Sequence, residues 1–378
     1  SGVEYHLISF EKTSAYESGK NTIQDICDKY HINWVPLSYT KNPPVISTLF
    51  DIRKLRKKVL ELCNAHEFDL VHCRSYISSL IGLELKQDLQ IPFLFDMRGF
   101  WADERVEGGI WNINNPLYKI IFNYFKKKEK AFFQNADKIV CLTENGKQEI
   151  LSWNMENVDD SKIIVIPCCA DLSLFDYHRI DQNKTNALAE SLKIDNNDLV
   201  ISYLGAIGTW YMLEEMLDFY KVFAQKFNNT KFLFITAEAK ETILSSAEQK
   251  GINTENIIVK KSKREDVPVH LSLSQICIFF IKPVYSKKAS SPTKQGEIMG
   301  LGLPIICNHN VGDTDMIIED SSAGAIVTEF SVQNYQQVCE KVPELLKLDK
   351  NKIRAGAEKF YSLDRGVEKY FSIYKMIT

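Results

Sequence analysis

Twelve short apolar runs, six on each side of the polar stretch at 176–198, constrain this chain more than any other feature. The first six are YHLISF (5–10), NWVPLSY (33–39), FDLVHCRS (68–75), IPFLFDMR (91–98), KIVCLTE (138–144) and KIIVIPC (162–168). The second six are LVISYLGAIG (199–208), KFLFITAE (231–238), NIIVKKS (256–262), ICIFFIKP (276–283), LPIICN (303–308) and GAIVTEF (324–330). Amphipathic stretches such as 51–66 and 116–136 lie between them. Strands that are apolar throughout and separated by helices build parallel sheets covered on both faces. The predicted fold class is α/β: two doubly wound, Rossmann-like domains facing a central cleft. In such sheets ligands bind beyond the carboxyl ends of the strands, so function is sought in the turns that follow them.

At 378 residues and 45% hydrophobic content, the chain has enough apolar surface for two cores. A net charge of −3 provides no global attraction for nucleic acid, and no nucleic-acid partner is expected. The nine cysteines are scattered, with neither C-x-x-C spacing nor a paired framework. They read as buried free thiols of a reducing compartment, so the expected localisation is cytoplasmic. No run approaches the roughly 18 apolar residues of a spanning helix, which leaves peripheral contact with the cytoplasmic face of the inner membrane. FKKKEKAFF (125–133) is the stretch suited to that contact, with a solvated helix face as the plainer reading.

Three groups of residues carry chemistry. The run Gly205-Ala206-Ile207-Gly208-Thr209-Trp210 follows a strand and precedes a helix, where glycines let backbone amides approach a phosphate. Alone, it is as readily a tight turn. SSPTKQGEIMGLGLPIICN (290–308) says more: Ser291 can cap, Pro292 suits the first helical position, and Gly302 with Pro304 is a stop, which predicts a helix over 292–301. Its first turn and Lys294 make an anion site, and Glu297 leans toward the same mouth. A lysine for a diphosphate and a carboxylate for ribose hydroxyls is what a nucleotide-sugar site requires; the alternative is an exposed i,i+3 ion pair. In the first half, His72, Arg74 and Ser75 follow one strand, and Asp96, Arg98, Trp101, Asp103 and Glu104 follow the next. A parallel sheet brings these groups to one crevice, with 95–111 read as a long loop. No P-loop, H-E-x-x-H or G-x-S-x-G occurs, so kinase and hydrolase readings lose support.

With these residues in place, the chain resembles a retaining glycosyltransferase of family 4, group 1 type, with the GT-B fold. The resemblance rests on HCRS, DMRGFW, KIVCLTENGKQEIL, VIPCCADLSLF, YLGAIGTWY, SSPTKQGEIMGLGLPIICN and SLDRGVEKYFSIY, in that order. It implies an acceptor domain (1–175), a linker (176–198), a donor domain (199–360) and a helix that crosses back to the first domain (361–378). It also implies transfer of a sugar from a UDP- or GDP-sugar to a glycan or lipid-linked acceptor, with retention, in capsule, exopolysaccharide or lipopolysaccharide assembly. No metal or further cofactor is expected. Gly205, Gly208, Thr209, Pro292, Thr293 and Lys294 would surround the diphosphate, Glu297 would bind the ribose, and Arg98, Asp103 and His72 are the catalytic candidates.

Two departures from the family pattern stand out. Ala289 occupies the position, eight residues before Glu297, where relatives often place a sugar-contacting glutamate. The basic pair common around the diphosphate loop is missing from GAIGTWYML, so Lys294, with Lys282 or Lys288, must supply the charge. The chain also enters a strand at once, where relatives open with a further βα unit; the expectation is donor binding with weak or absent transfer. The competing readings are a nucleotide-sugar 2-epimerase of the same fold and a non-catalytic two-domain sugar-binding protein.

Overall fold

The β-branched and aromatic runs form strands, and those of the two larger sheets bury both faces between helices, whereas the first two stay partly exposed. All twelve predicted strands are present in the computed structural model, which describes residues 2–378. In the first domain β1 (Tyr5–Glu11) and β2 (Ile32–Ser38) pair in parallel as a separate two-stranded sheet. A four-stranded parallel sheet follows, in the order β3 (Val71–Arg74), β4 (Phe93–Asp96), β5 (Lys138–Cys141) and β6 (Ile163–Val165). The first domain therefore departs from the single doubly wound sheet expected. Side chains rather than a backbone ladder join its two parts: Ile8, Phe10 and Leu37 pack on a cluster of Leu55, Ile81 and Leu85 carried by the intervening helices.

The second domain has six parallel strands: β7 (Leu199–Leu204), β8 (Thr230–Ile235), β9 (Ile257–Lys260), β10 (Ile276–Phe279), β11 (Ile305–Asn308) and β12 (Gly324–Val327). They lie in the order β12-β11-β10-β7-β8-β9. The chain runs outward from β7 to β9, then returns to β10 and runs outward the other way. The carboxyl ends of β7 and β10 thus flank the switch point, where a crevice must open.

Two segments are more ordered than their sequence suggests. The loop read at 95–111 contains the helix Trp101–Glu107, anchored where Trp101 meets Tyr76, Trp111 and Phe125. The stretch read as a linker contains the helix Gln182–Ser191, capped by Asp181, and Thr185 Oγ1 lies 3.2 Å from Ser272 Oγ of the second domain.

The last helix, Leu363–Ile377, crosses back onto the first domain. Ile373 is buried with Leu94, Val140 and Ile166 on the outer face of the four-stranded sheet. Tyr370 Oη donates to Asp96 Oδ2 at 3.0 Å, and Lys369 Nζ donates to the Val165 carbonyl at 3.0 Å. Truncating a large buried aliphatic side chain removes its transfer energy and leaves a cavity. Ile373→Ala is expected to lower stability by about 2–5 kcal/mol in urea unfolding.

Candidate functional site

The crevice is built from both sides of the switch point. After β7 the backbone turns through Gly205 at φ +122° and Gly208 at φ +151°, conformations that favour glycine. Gly205 also lies close under Lys294: a Cβ there would sit 2.9 Å from Nζ, so a side chain at this position would displace the ammonium. The loop is stitched to the strand end opposite: the Met212 amide donates to Phe280 O at 3.1 Å and the Lys282 amide to Trp210 O at 2.9 Å.

After β10, the helix Thr293–Gly300 starts at the crevice. Pro292 stands at its cap position, and no side chain caps it. Ser291 does not take the capping role read for it; its hydroxyl instead accepts from the Cys168 amide of the first domain at 3.2 Å. Lys294 is 7% exposed, with its ammonium 3.6 Å from the ring centre of Tyr211 and 4.4 Å from that of Tyr203. It donates to Tyr203 Oη at 3.1 Å. Burial pulls its pKa from 10.5 down to about 7, and the nearby Glu297 carboxylate only partly opposes this.

Glu297 is also buried, yet it pairs with Arg264 rather than with Lys294. The exposed i,i+3 ion pair is thereby excluded: both groups are out of water, and Glu297's partner lies elsewhere. Arg264 follows β9 and lies 4.9 Å from the ring centre of Phe175. Of the other proposed cations, Lys282 is exposed and Lys288 pairs with Glu149 at 2.8 Å. Thr209 is exposed at the loop tip. Its neighbour Trp210 reaches the first domain, where a Cβ on Gly108 would lie 2.8 Å from its ring; the ring centre also lies 3.7 Å from Nζ of Lys287, which bonds Glu104 of the first domain at 2.6 Å.

Of the three catalytic candidates, Arg98 lines the cleft, a cavity of about 420 Å³ bordered also by Ser75, Glu104, Arg105, Tyr211 and Pro292. Arg98 and Ser75 sit in left-handed backbone conformations, φ +60° and +70°. Each costs a non-glycine residue of the order of 1–3 kcal/mol and persists only where the surroundings enforce it. Asp103 corrects the reading: it turns into the first domain to meet Lys126 at 2.8 Å, beside Glu129 and Tyr76. His72 is the second correction. Side chains alternate across a strand, and its face of β3 is the one that the last helix covers. There its Nδ1 lies 2.8 Å from Tyr374 Oη, and its ring stacks on Tyr370 at 5.5 Å. Neither side chain borders the cavity that Arg98 lines.

Ala289 is fully buried between the domains, and a Cβ on Gly146 would lie 2.8 Å from its own. The first domain therefore fills the space that a longer side chain there would need. Among the described residues, no three His, Cys, Asp or Glu side chains come together as a metal site requires. Sequence reasoning missed Arg264, Tyr203 and Tyr211. For Arg264 the basic run KKSKRE after β9, at the carboxyl edge, was a usable signal.

Two family profiles match the chain in tandem: "Glycosyltransferase Family 4" over residues 1–174 and "Glycosyl transferases group 1" over 184–359. The capsular polysaccharide biosynthesis glycosyltransferase CapM of Staphylococcus aureus is 21% identical over 304 residues, spanning 80% of this chain and 73% of that protein. A glycosyltransferase from Rickettsia africae ESF-5 superposes with a TM-score of 0.70 at 17% identity, over 99% of this chain and 98% of its own. Anabaena Alr3699/HepE in complex with UDP-glucose gives 0.67 at 11% identity, over 97% and 99% of the respective chains.

Lys294 makes stability depend on pH. Its folded pKa lies below its unfolded value, so between about 7 and 10.5 the unfolded chain binds the extra proton and stability rises with pH. Lys294→Met is expected to abolish that rise and to be more stable than the parent at pH 6, as read by thermal unfolding across the range.

Proposed function

The chain belongs to the group 1 glycosyltransferases of GT-B fold, with a Family 4 amino-terminal half, and from that premise we propose that it transfers a sugar from a UDP-sugar, with retention, during the assembly of a surface polysaccharide. One observation carries the donor reading: a buried ammonium, Lys294, with no carboxylate partner, stands at an uncapped helix start facing a glycine turn. Such an ammonium is stabilised by a diphosphate, and the helix field adds to the attraction. The names of the relatives, a capsular enzyme and a protein held with UDP-glucose, support the product and donor classes.

In this reading the bond from the anomeric carbon to the diphosphate oxygen breaks while Lys294 and the helix amides stabilise the leaving group. The acceptor hydroxyl attacks from the same face and passes its proton to the departing phosphate oxygen. Retention without a protein nucleophile fits the donor side, where the position eight residues before Glu297 is a buried alanine. Glu297, oriented by Arg264, binds the ribose hydroxyls.

The acceptor is proposed to be presented at a membrane surface. Ile110 and Ile113 on the segment that leads into the helix Pro116–Asn135, and Leu117, Ile120 and Tyr124 on the helix itself, are all exposed, next to exposed Lys119 and Lys127. An apolar stripe with flanking lysines suits an anionic leaflet. No described helix is long and apolar enough to cross a membrane.

Lys294→Met and Glu297→Ala are each expected to weaken UDP binding tenfold to a hundredfold in calorimetry, the worth of one charge-assisted contact at about 1.5–3 kcal/mol. Unchanged affinity in both would remove the donor reading. The double substitution Leu117→Asp and Ile120→Asp should abolish co-sedimentation with phosphatidylglycerol vesicles and leave UDP affinity unaltered.

A further inference from the structure

The first domain's wall of the cleft is cationic, and the donor reading makes no use of it. Arg98 and Arg105 both line the cavity. The carboxylates nearest to them in the chain are engaged elsewhere: Asp96 by Tyr370 Oη at 3.0 Å, Asp103 by Lys126, Glu104 by Lys287, and Glu107 by the Ser286 amide at 2.9 Å. Among the described residues, neither guanidinium has an ion-pair partner. Lys287 adds no free charge, being neutralised by Glu104.

Both arginines are aimed. Arg98 is fixed by a left-handed backbone between the buried Met97 and Phe100, and its charge offsets part of the burial effect on the Cys168 thiol across the cleft floor. Arg105 lies with its guanidinium carbon 5.0 Å from the ring centre of Trp101, a stacking that restricts its rotamers. A planar guanidinium with its donors uncommitted matches phosphate or carboxylate oxygens two at a time.

In the donor reading the donor's own diphosphate is accounted for by Lys294 and the Gly205–Gly208 turn of the second domain, none of which borders this cavity. We infer that Arg98 and Arg105 form a second anion subsite, which takes a phosphate, diphosphate or carboxylate group carried by the acceptor. The inference rests on the donor reading only for which substrate occupies the wall. An acceptor so held would bring its hydroxyl toward the sugar while its charge stays on the first domain. Acceptors lacking an acidic group would be poor substrates.

Calorimetry on the intact chain saturated with UDP tests this. Inorganic pyrophosphate and D-glucuronate are the probes, with D-glucose as the uncharged control. At least one anion is expected to bind the UDP-loaded protein tenfold or more tightly than glucose. Arg98→Gln and Arg105→Gln should each weaken that anion tenfold or more and change UDP affinity less than twofold. Binding of pyrophosphate alone assigns a diphosphate-linked acceptor, and binding of glucuronate alone an acidic sugar. The subsite is refuted if neither anion binds the UDP-loaded protein, or if the arginine variants weaken UDP as much as Lys294→Met does. Should UDP itself not bind, the donor reading fails separately. Pyrophosphate titrated onto nucleotide-free Lys294→Met protein, with and without Arg98→Gln, then still reads the arginine wall: arginine-dependent binding upholds it and its absence refutes it.

Discussion

The carboxylate of Asp313 accepts the backbone amides of Glu144 and Asn145, at 2.6 and 3.0 Å, and the cleft owes its shape to this contact between domains. These amides open the helix Glu144–Ser152, so an acid of the second domain completes the start of a helix in the first. Around it, Thr143 Oγ1 donates to Lys288 O at 2.6 Å and Asn145 donates to Gly312 O. Gly312, at φ +51°, has no room for a side chain, since a Cβ would fall 2.0 Å from Ser290 O. The segments that make these contacts follow β10 and β11, and one of them continues into the helix bearing Lys294 and Glu297. Closing the domains and shaping the donor wall are therefore acts of the same backbone.

Much of this was legible in the sequence. Periodicity exposed every strand, because a doubly covered parallel strand must be apolar throughout. The Thr293–Gly300 helix could be placed from proline and glycine, which act locally. The partners of its charged residues could not. Lys294 and Glu297 look like an ion pair in sequence, and only the folded chain shows tyrosines around one and Arg264 beside the other. These contacts join residues from different strand ends, a matter of sheet order rather than of local pattern.

The same limit explains the first-domain errors. Strand ends bring His72, Arg98 and Asp103 to one region, but a strand presents alternate residues to opposite faces, and a helix turns each residue by a fixed angle. His72 fell on the covered face and Asp103 on the inward side of its helix, whereas Arg98 was turned into the cleft by a backbone conformation that no propensity foretells. The left-handed backbone at Ser75 and Arg98 was likewise invisible beforehand.

The crossing helix has a consequence for biosynthesis. Leu94, Val140 and Ile166 are buried by Ile373, and the Val165 carbonyl meets Lys369, which is 204 residues later in the chain. At translation rates of roughly 5–20 residues per second, the outer face of the first sheet stays uncovered for about 10–40 seconds after its last strand is made. During that interval the nascent first domain carries an apolar face that its own last helix has yet to cover. The domain made first is the one finished last.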